Sequence, residues 1–124
     1  MRVPIFEACF VDTTLQGLIG GAEFRLYQFG EAPQDCKLPY VVWGLIYGSP
    51  FNSLNDIPDV DSFGIQIDVY GPEHDPKVSR NVARAMRNVV EIFGYVVNWN
   101  GESRDPDTRN YRVSFDVDWI VERT

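Results

Sequence analysis

Apolar and polar residues alternate most cleanly over residues 63–70. There Ile65, Ile67 and Val69 fall on one face and Gln66 and Asp68 on the other, the period-two signature of a strand buried on one side. Gly71-Pro72 ends the run, because proline cannot donate to a strand ladder and glycine turns at little cost. Asp75 and Pro76 then supply an N-cap and a first helical residue whose missing N–H costs nothing. From Val78 the period lengthens: Val78, Val82, Ala85, Met86, Val89 and Phe93 keep to one helical face, and Gly94 is placed to end the helix in a left-handed cap. Strand and helix thus present apolar faces that can cover each other, and the rest of the chain is organised around this unit.

Residues 4–19 read as a helix with Ile5, Ala8, Cys9, Val11, Leu15, Leu18 and Ile19 on one broad side and Gly20-Gly21 as its stop. Phe6 and Phe10 form an i, i+4 pair displaced from that side by about a quarter turn; they fit a second layer of the same domain or a contact with another chain. Residues 23–29 form a short candidate strand, residues 30–38 a polar loop, and residues 39–47 the most strand-like run, apolar on both faces and therefore central or doubly covered. Residues 48–61, rich in Pro, Asn, Ser and Asp, are long for a hairpin connection, so the expectation is a loop that moves in the isolated chain and orders against a neighbour. Residues 95–99 form another strand and residues 100–110 a turn. In residues 113–121, Val113, Phe115, Val117, Trp119 and Val121 alternate with Ser114, Asp116 and Asp118. The order is helix, three strands, helix, two strands: an α+β fold with a mainly antiparallel sheet of about five strands and two helices packed on one side.

Composition changes this picture little. A chain of 124 residues with 44% hydrophobic and 14% aromatic residues is read as one domain, residues 1–124, with a core that needs no staples. Cys9 and Cys36 are too few for a disulfide framework and match no zinc spacing; as reduced thiols they suit a protein made in a cytoplasm. The N-terminus has no signal layout and no apolar run approaches a membrane span, so no membrane partner is expected. The net charge of −7 argues against a free-standing nucleic-acid binder, though not against DNA passing nearby without sticking.

Catalytic signatures are missing from the sequence. His74, the one histidine, sits beside Asp75 at a helix start and reads as a loop residue, and there is no nucleophile elbow or Walker loop. Two charge patterns remain. Asp68, Asp116 and Asp118, with Asp59 and Asp61 nearby in sequence, could cluster if their strands are neighbours and hold Mg²⁺ for phosphoryl transfer. The simpler reading is that they solvate the open face of a sheet, a surface suited to lining a channel for a polyanion. Lys77, Arg80, Arg84 and Arg87 recur at three, four and three residues on one helix face, with no acid among them. They form either a solvated face or a seam with another subunit.

The strings Leu38-Pro39-Tyr40-Val41-Val42-Trp43, Gly48 with Leu54, Ile65-Gln66-Ile67-Asp68-Val69-Tyr70-Gly71, the arginine-dotted helix and Tyr111-Arg112-Val113-Ser114-Phe115-Asp116-Val117 resemble one family. It is the tail-completion or tail-terminator family of long-tailed bacteriophages, also called head–tail joining proteins, and the likeness spans residues 5–121. The resemblance implies a non-enzymatic virion protein without a cofactor, assembled in the host cytoplasm. It further implies a ring, commonly a hexamer, that caps the tail tube protein, docks to the head–tail connector protein and lets DNA leave through its bore. Carried onto this chain, that makes Lys77, Arg80, Arg84, Arg87, Phe6 and Phe10 candidate interface residues and Asp68, Asp116 and Asp118 candidate bore residues. The rival expectations are a small Mg²⁺-dependent phosphoryl-transfer enzyme and another neck or minor tail protein of similar size.

Overall fold

The alternating run at the middle of the chain is the central strand of a sheet. In the computed structural model, which describes residues 3–50 and 60–122, this strand is β3 (Val60–Gly71). It pairs antiparallel with β2 (Tyr40–Pro50) on one side and β5 (Tyr111–Glu122) on the other. The helix that follows it is α3 (Pro76–Phe93), begun as expected by Asp75, whose carboxylate accepts from the Lys77 N–H, and by proline in the first turn. Two short helices, α1 (Ile5–Phe10) and α2 (Thr13–Ile19), precede β1 (Leu26–Gln28), and β4 (Gly94–Arg104) lies between α3 and β5. The strand order is β1-β2-β3-β5-β4, with β1–β2 parallel and the other pairs antiparallel. The α+β fold and the five-stranded, mainly antiparallel sheet are those read from the sequence.

The register puts Ile65 opposite Val117, Ile67 opposite Phe115 and Val69 opposite Val113, all fully buried. Val82, Met86 and Val90 of α3 cover this face together with Ile5 and Cys9 of α1 and Leu15 and Ile19 of α2. Each such side chain contributes roughly 1.5–3 kcal/mol on burial. The Cys9 thiol sits 3.9 Å from the Met86 sulfur, joining α1 to α3, and burial pushes its pKa up to about 12. It is a small core side chain, as its apolar setting suggested.

The structure corrects several boundaries. Residues 4–19 form two helices, not one, because Asp12 takes an extended backbone and its carboxylate accepts from the Leu15 N–H at 3.0 Å, capping α2. A short acidic side chain that can satisfy the backbone locally competes with helix continuation, and here it wins. The third strand of the chain is also longer than its alternation: residues 48–50 belong to β2 and residues 60–61 to β3, so the long connection is shorter than 48–61, and residues 51–59 of it lie outside the described residues. Likewise β4 extends to Arg104, well into the stretch expected to be turn. The polar loop before β2 is long for a different reason. It carries the chain back so that β1 and β2 run parallel, a connection that cannot be a tight hairpin.

Gly94 is not a left-handed cap. Its backbone is extended (φ −172°, ψ −152°), it opens β4 opposite Trp119, and a Cβ there would be driven into the Asp118 carbonyl oxygen and to 3.0 Å from Trp119 Cα. Both obstacles are backbone and cannot swing aside. Gly94→Ala should therefore destabilise the protein by about 1–3 kcal/mol, the usual cost of overpacking. Chemical denaturation measures this, and a midpoint equal to that of the wild type would show that β4 is free to shift.

Candidate assembly surfaces

The face of the sheet turned away from the helices carries the acidic residues. Asp68 lies opposite Ser114, Gln66 opposite Asp116 and Gly64 opposite Asp118, so Asp68, Asp116 and Asp118 share one face. They are not bare carboxylates. The Gln66 amide donates to Asp68 Oδ1 at 3.2 Å and to Ser114 Oγ at 3.3 Å, and the Asn100 amide donates to Asp116 Oδ1 at 2.9 Å and to Ser114 Oγ at 3.3 Å. Arg112 Nε lies 3.6 Å from Asp68 Oδ1, an ion pair too long for a direct hydrogen bond. Amides and one guanidinium thus offset the repulsion that close carboxylates would otherwise suffer. Among the described residues, no group of three or more His, Cys, Asp or Glu side chains is placed to hold a metal. The three aspartates therefore share a face without forming the cage that the phosphoryl-transfer alternative needs. Of the other acids weighed with them, Asp61 lies in β3 and Asp59 is outside the described residues.

All four bases of α3 are exposed, but they are not equivalent. Arg80 grips Glu102 of β4 through Nε at 3.1 Å to both carboxylate oxygens and Nη2 at 2.8 Å. The Tyr111 hydroxyl donates to the same carboxylate, and the guanidinium lies 5.9 Å from the Tyr111 ring centroid. Hydrogen bonds from Arg80 and Tyr111 hold the Glu102 carboxyl below the usual carboxylate range and raise Arg80 in turn. Arg87 pairs with Glu91 one turn on, at 3.1 Å. Lys77 and Arg84 have no ion-pair partner among the described residues. Half of the stripe is thus committed within the subunit and half is available.

Phe6 and Phe10 stack at 5.6 Å and both meet the buried Phe24 edge-on, at 5.5 and 5.4 Å. One side of the pair is therefore covered by the same domain, and each ring keeps roughly two-fifths to half of its surface exposed. Sequence reasoning missed larger apolar surfaces at the two edges of the sheet. At the β4 edge Tyr95 and Val97 are exposed, with Trp99 half-exposed although it stacks on Phe115 at 5.2 Å. At the other edge Phe29, Leu45 and Ile46 are exposed. The signal for the first was present: Tyr95-Val96-Val97 breaks alternation with consecutive apolar residues, which an edge strand cannot bury.

Arg25 was also missed. Only 9% exposed, it donates from Nε to the Pro39 carbonyl at 2.8 Å, from Nη1 to the Gly20 carbonyl at 3.1 Å and from Nη2 to the Leu18 carbonyl at 3.3 Å. An isolated arginine at the head of a short strand gives no sequence signal for such a role.

Among the described residues no helix is long and apolar enough to cross a membrane. A chain from the virion of a native gene transfer agent particle has a similar fold, with a TM-score of 0.63 and 15% identity over 96% of this chain and 92% of that one. A search of curated proteins finds no match. The family model described as Tail completion protein gp17 matches residues 3–122. With that match over nearly its whole length, the chain belongs to the gp17 tail completion family, structural components of the virion rather than enzymes.

Proposed function

We propose that copies of this chain, six in the arrangement the family resemblance implies, close into a ring that caps the finished tail tube and docks it to the head–tail connector. DNA leaves the head through the bore. The observation that carries this reading is the family match across residues 3–122, and the likeness to a chain of a gene transfer agent virion supports it. The acidic face gives the bore a physical role. Asp116 and Asp118 lie on one side of the sheet within a chain of net charge −7, and a wall of that sign repels phosphates and keeps DNA from sticking as it passes. On the outside, Lys77 and Arg84 are the bases free to meet acidic residues of a neighbour, and the exposed sides of Phe6 and Phe10 offer aromatic contact area of the kind enriched at interfaces.

Particles made without this protein should accumulate as full heads and separate tails, and the purified protein added back should restore joining. Electron microscopy of the restored particles should show a ring at the head-proximal end of the tail with Asp116 and Asp118 on its inner wall. Density elsewhere in the neck would favour the minor-tail-protein alternative, and the same aspartates on the outer wall would overturn the bore assignment.

A further inference from the structure

Asn100 is followed by Gly101, and no other asparagine of the chain precedes a glycine. An Asn-Gly pair is the asparagine sequence most prone to deamidation, because the glycine carries no side chain to hinder attack of its nitrogen on the asparagine amide carbon. The fold leaves the pair open. The register of β4 on β5 steps from Trp99 opposite Phe115 to Gly101 opposite Ser114, so Asn100 is the extra residue of a bulge on an edge strand. Asn100 is exposed. Gly101 has φ +95°, and no heavy atom beyond its chain neighbours lies within 4 Å of where its Cβ would stand. The other asparagines among the described residues are placed differently. Asn81 and Asn88 are held in α3 and precede valines, and Asn98 and Asn110 precede aromatic residues.

The Asn100 side chain is also a joint between β4 and the open face of the sheet. Its amide nitrogen spends both protons on β5, one on Ser114 Oγ at 3.3 Å and one on Asp116 Oδ1 at 2.9 Å. Its carbonyl oxygen accepts from the Asn98 amide. The buried Ser114 oxygen also takes the Gln66 amide, so the joint reaches β3. Exchanging that nitrogen for a carboxylate oxygen reverses the sense of the Asp116 contact. The Ser114 hydroxyl can turn and donate to the new oxygen. The Asp116 carboxylate has no proton to give, and two like charges meet at hydrogen-bond distance.

We infer that Asn100 is the site at which this chain deamidates, and that the change frees the far half of β4 from β5. The Gly101 nitrogen gives up its proton and bonds to Asn100 Cγ. The bond from Cγ to the amide nitrogen breaks, and that nitrogen leaves as ammonia with the added proton. Water then opens the cyclic imide at either carbonyl, giving aspartate or isoaspartate. Both products add a negative charge to the face that holds Asp68, Asp116 and Asp118. Isoaspartate also lengthens the backbone by a methylene, which displaces the pairs Glu102–Val113, Ser103–Arg112 and Arg104–Tyr111 beyond it. The Glu102 carboxylate that Arg80 grips moves with them. None of this depends on how copies assemble.

The purified chain, kept warm in mildly alkaline buffer for days and followed by peptide mass spectrometry, should gain the mass of one deamidation first in the peptide carrying Asn100. An aspartate–isoaspartate doublet on chromatography and an equal release of ammonia should accompany it, and Asn100→Gln should abolish all three. Asn100→Asp, made directly, should melt about 4–8 °C below the wild type. It should also lose hydrogen-exchange protection over residues 101–104. Adding Asp116→Asn to that variant should restore most of the melting temperature, because donor and acceptor then exchange places. Conversion of another asparagine while Asn100 stays intact overturns the site. An Asn100→Asp chain that melts with the wild type, or that Asp116→Asn does not rescue, overturns the consequence.

Discussion

Arg25→Ala should lower the melting temperature by about 10–20 °C, corresponding to about 3–5 kcal/mol, a loss as large as that of a core aromatic. The guanidinium is nearly buried and gives three hydrogen bonds, all to backbone carbonyls. Two of those carbonyls, of Leu18 and Gly20, end α2, where helical carbonyls have no partner of their own and where the helix dipole favours a positive charge. The third, of Pro39, leads into β2. The Arg25 backbone is engaged as well: its N–H donates to the Ile19 carbonyl and its C=O accepts from the Val41 N–H, each at 2.9 Å. One residue therefore ties the end of α2 and the start of β2 to β1. A charged hydrogen bond contributes about 1.5–3 kcal/mol, and the three are not additive because they share one side chain. Water that enters after truncation recovers part of the loss. Arg25→Lys should fall between, since a single ammonium cannot span three carbonyls that the planar guanidinium reaches together. Thermal unfolding followed by circular dichroism decides the matter, and an alanine variant melting within about 3 °C of the wild type would remove Arg25 from this role.

How much of this was legible beforehand follows from which residues act locally and which act at a distance. The strand at residues 63–70, the helix begun by Asp75-Pro76 and the closing alternation are written in periods of two and 3.6, and the structure has them with their expected inward faces. The acidic face was legible for the same reason, since alternation fixes a side even before strand neighbours are known. What was not legible depends on contacts between distant segments. Gly94 reads as a cap because the sequence does not show that Asp118 will pass against it. Arg80 reads as one of four equal bases because Glu102 and Tyr111, 22 and 31 residues away, are brought to it only by the fold. The apolar edges escaped because an exposed valine and a buried one look alike until strand order shows which edge is free.

That sorting of the four bases sharpens the last expectation, that Arg84→Glu leaves the subunit folded but stops assembly. Arg80 and Arg87 already have carboxylate partners in the same chain, whereas Arg84 has none among the described residues. An exposed charge contributes at most about 1 kcal/mol to folding, so the melting temperature of the variant should move by no more than a few degrees. At an interface the balance is different. Truncating one partner of a desolvated pair costs about 2–5 kcal/mol, a weakening of about 30-fold to several thousandfold at each contact. Reversal adds repulsion from the acids it would face, and in a ring the loss recurs at every subunit. Arg80→Ala is the internal comparison: it breaks the Glu102–Tyr111 cluster within the subunit and should weaken assembly far less than Arg84→Glu. The readouts are the melting curve, the sedimentation profile and the yield of joined particles when the variant is added to unfinished heads and tails. Arg84→Glu rings that form normally and join heads to tails at wild-type yield would place this arginine on a plain solvated face.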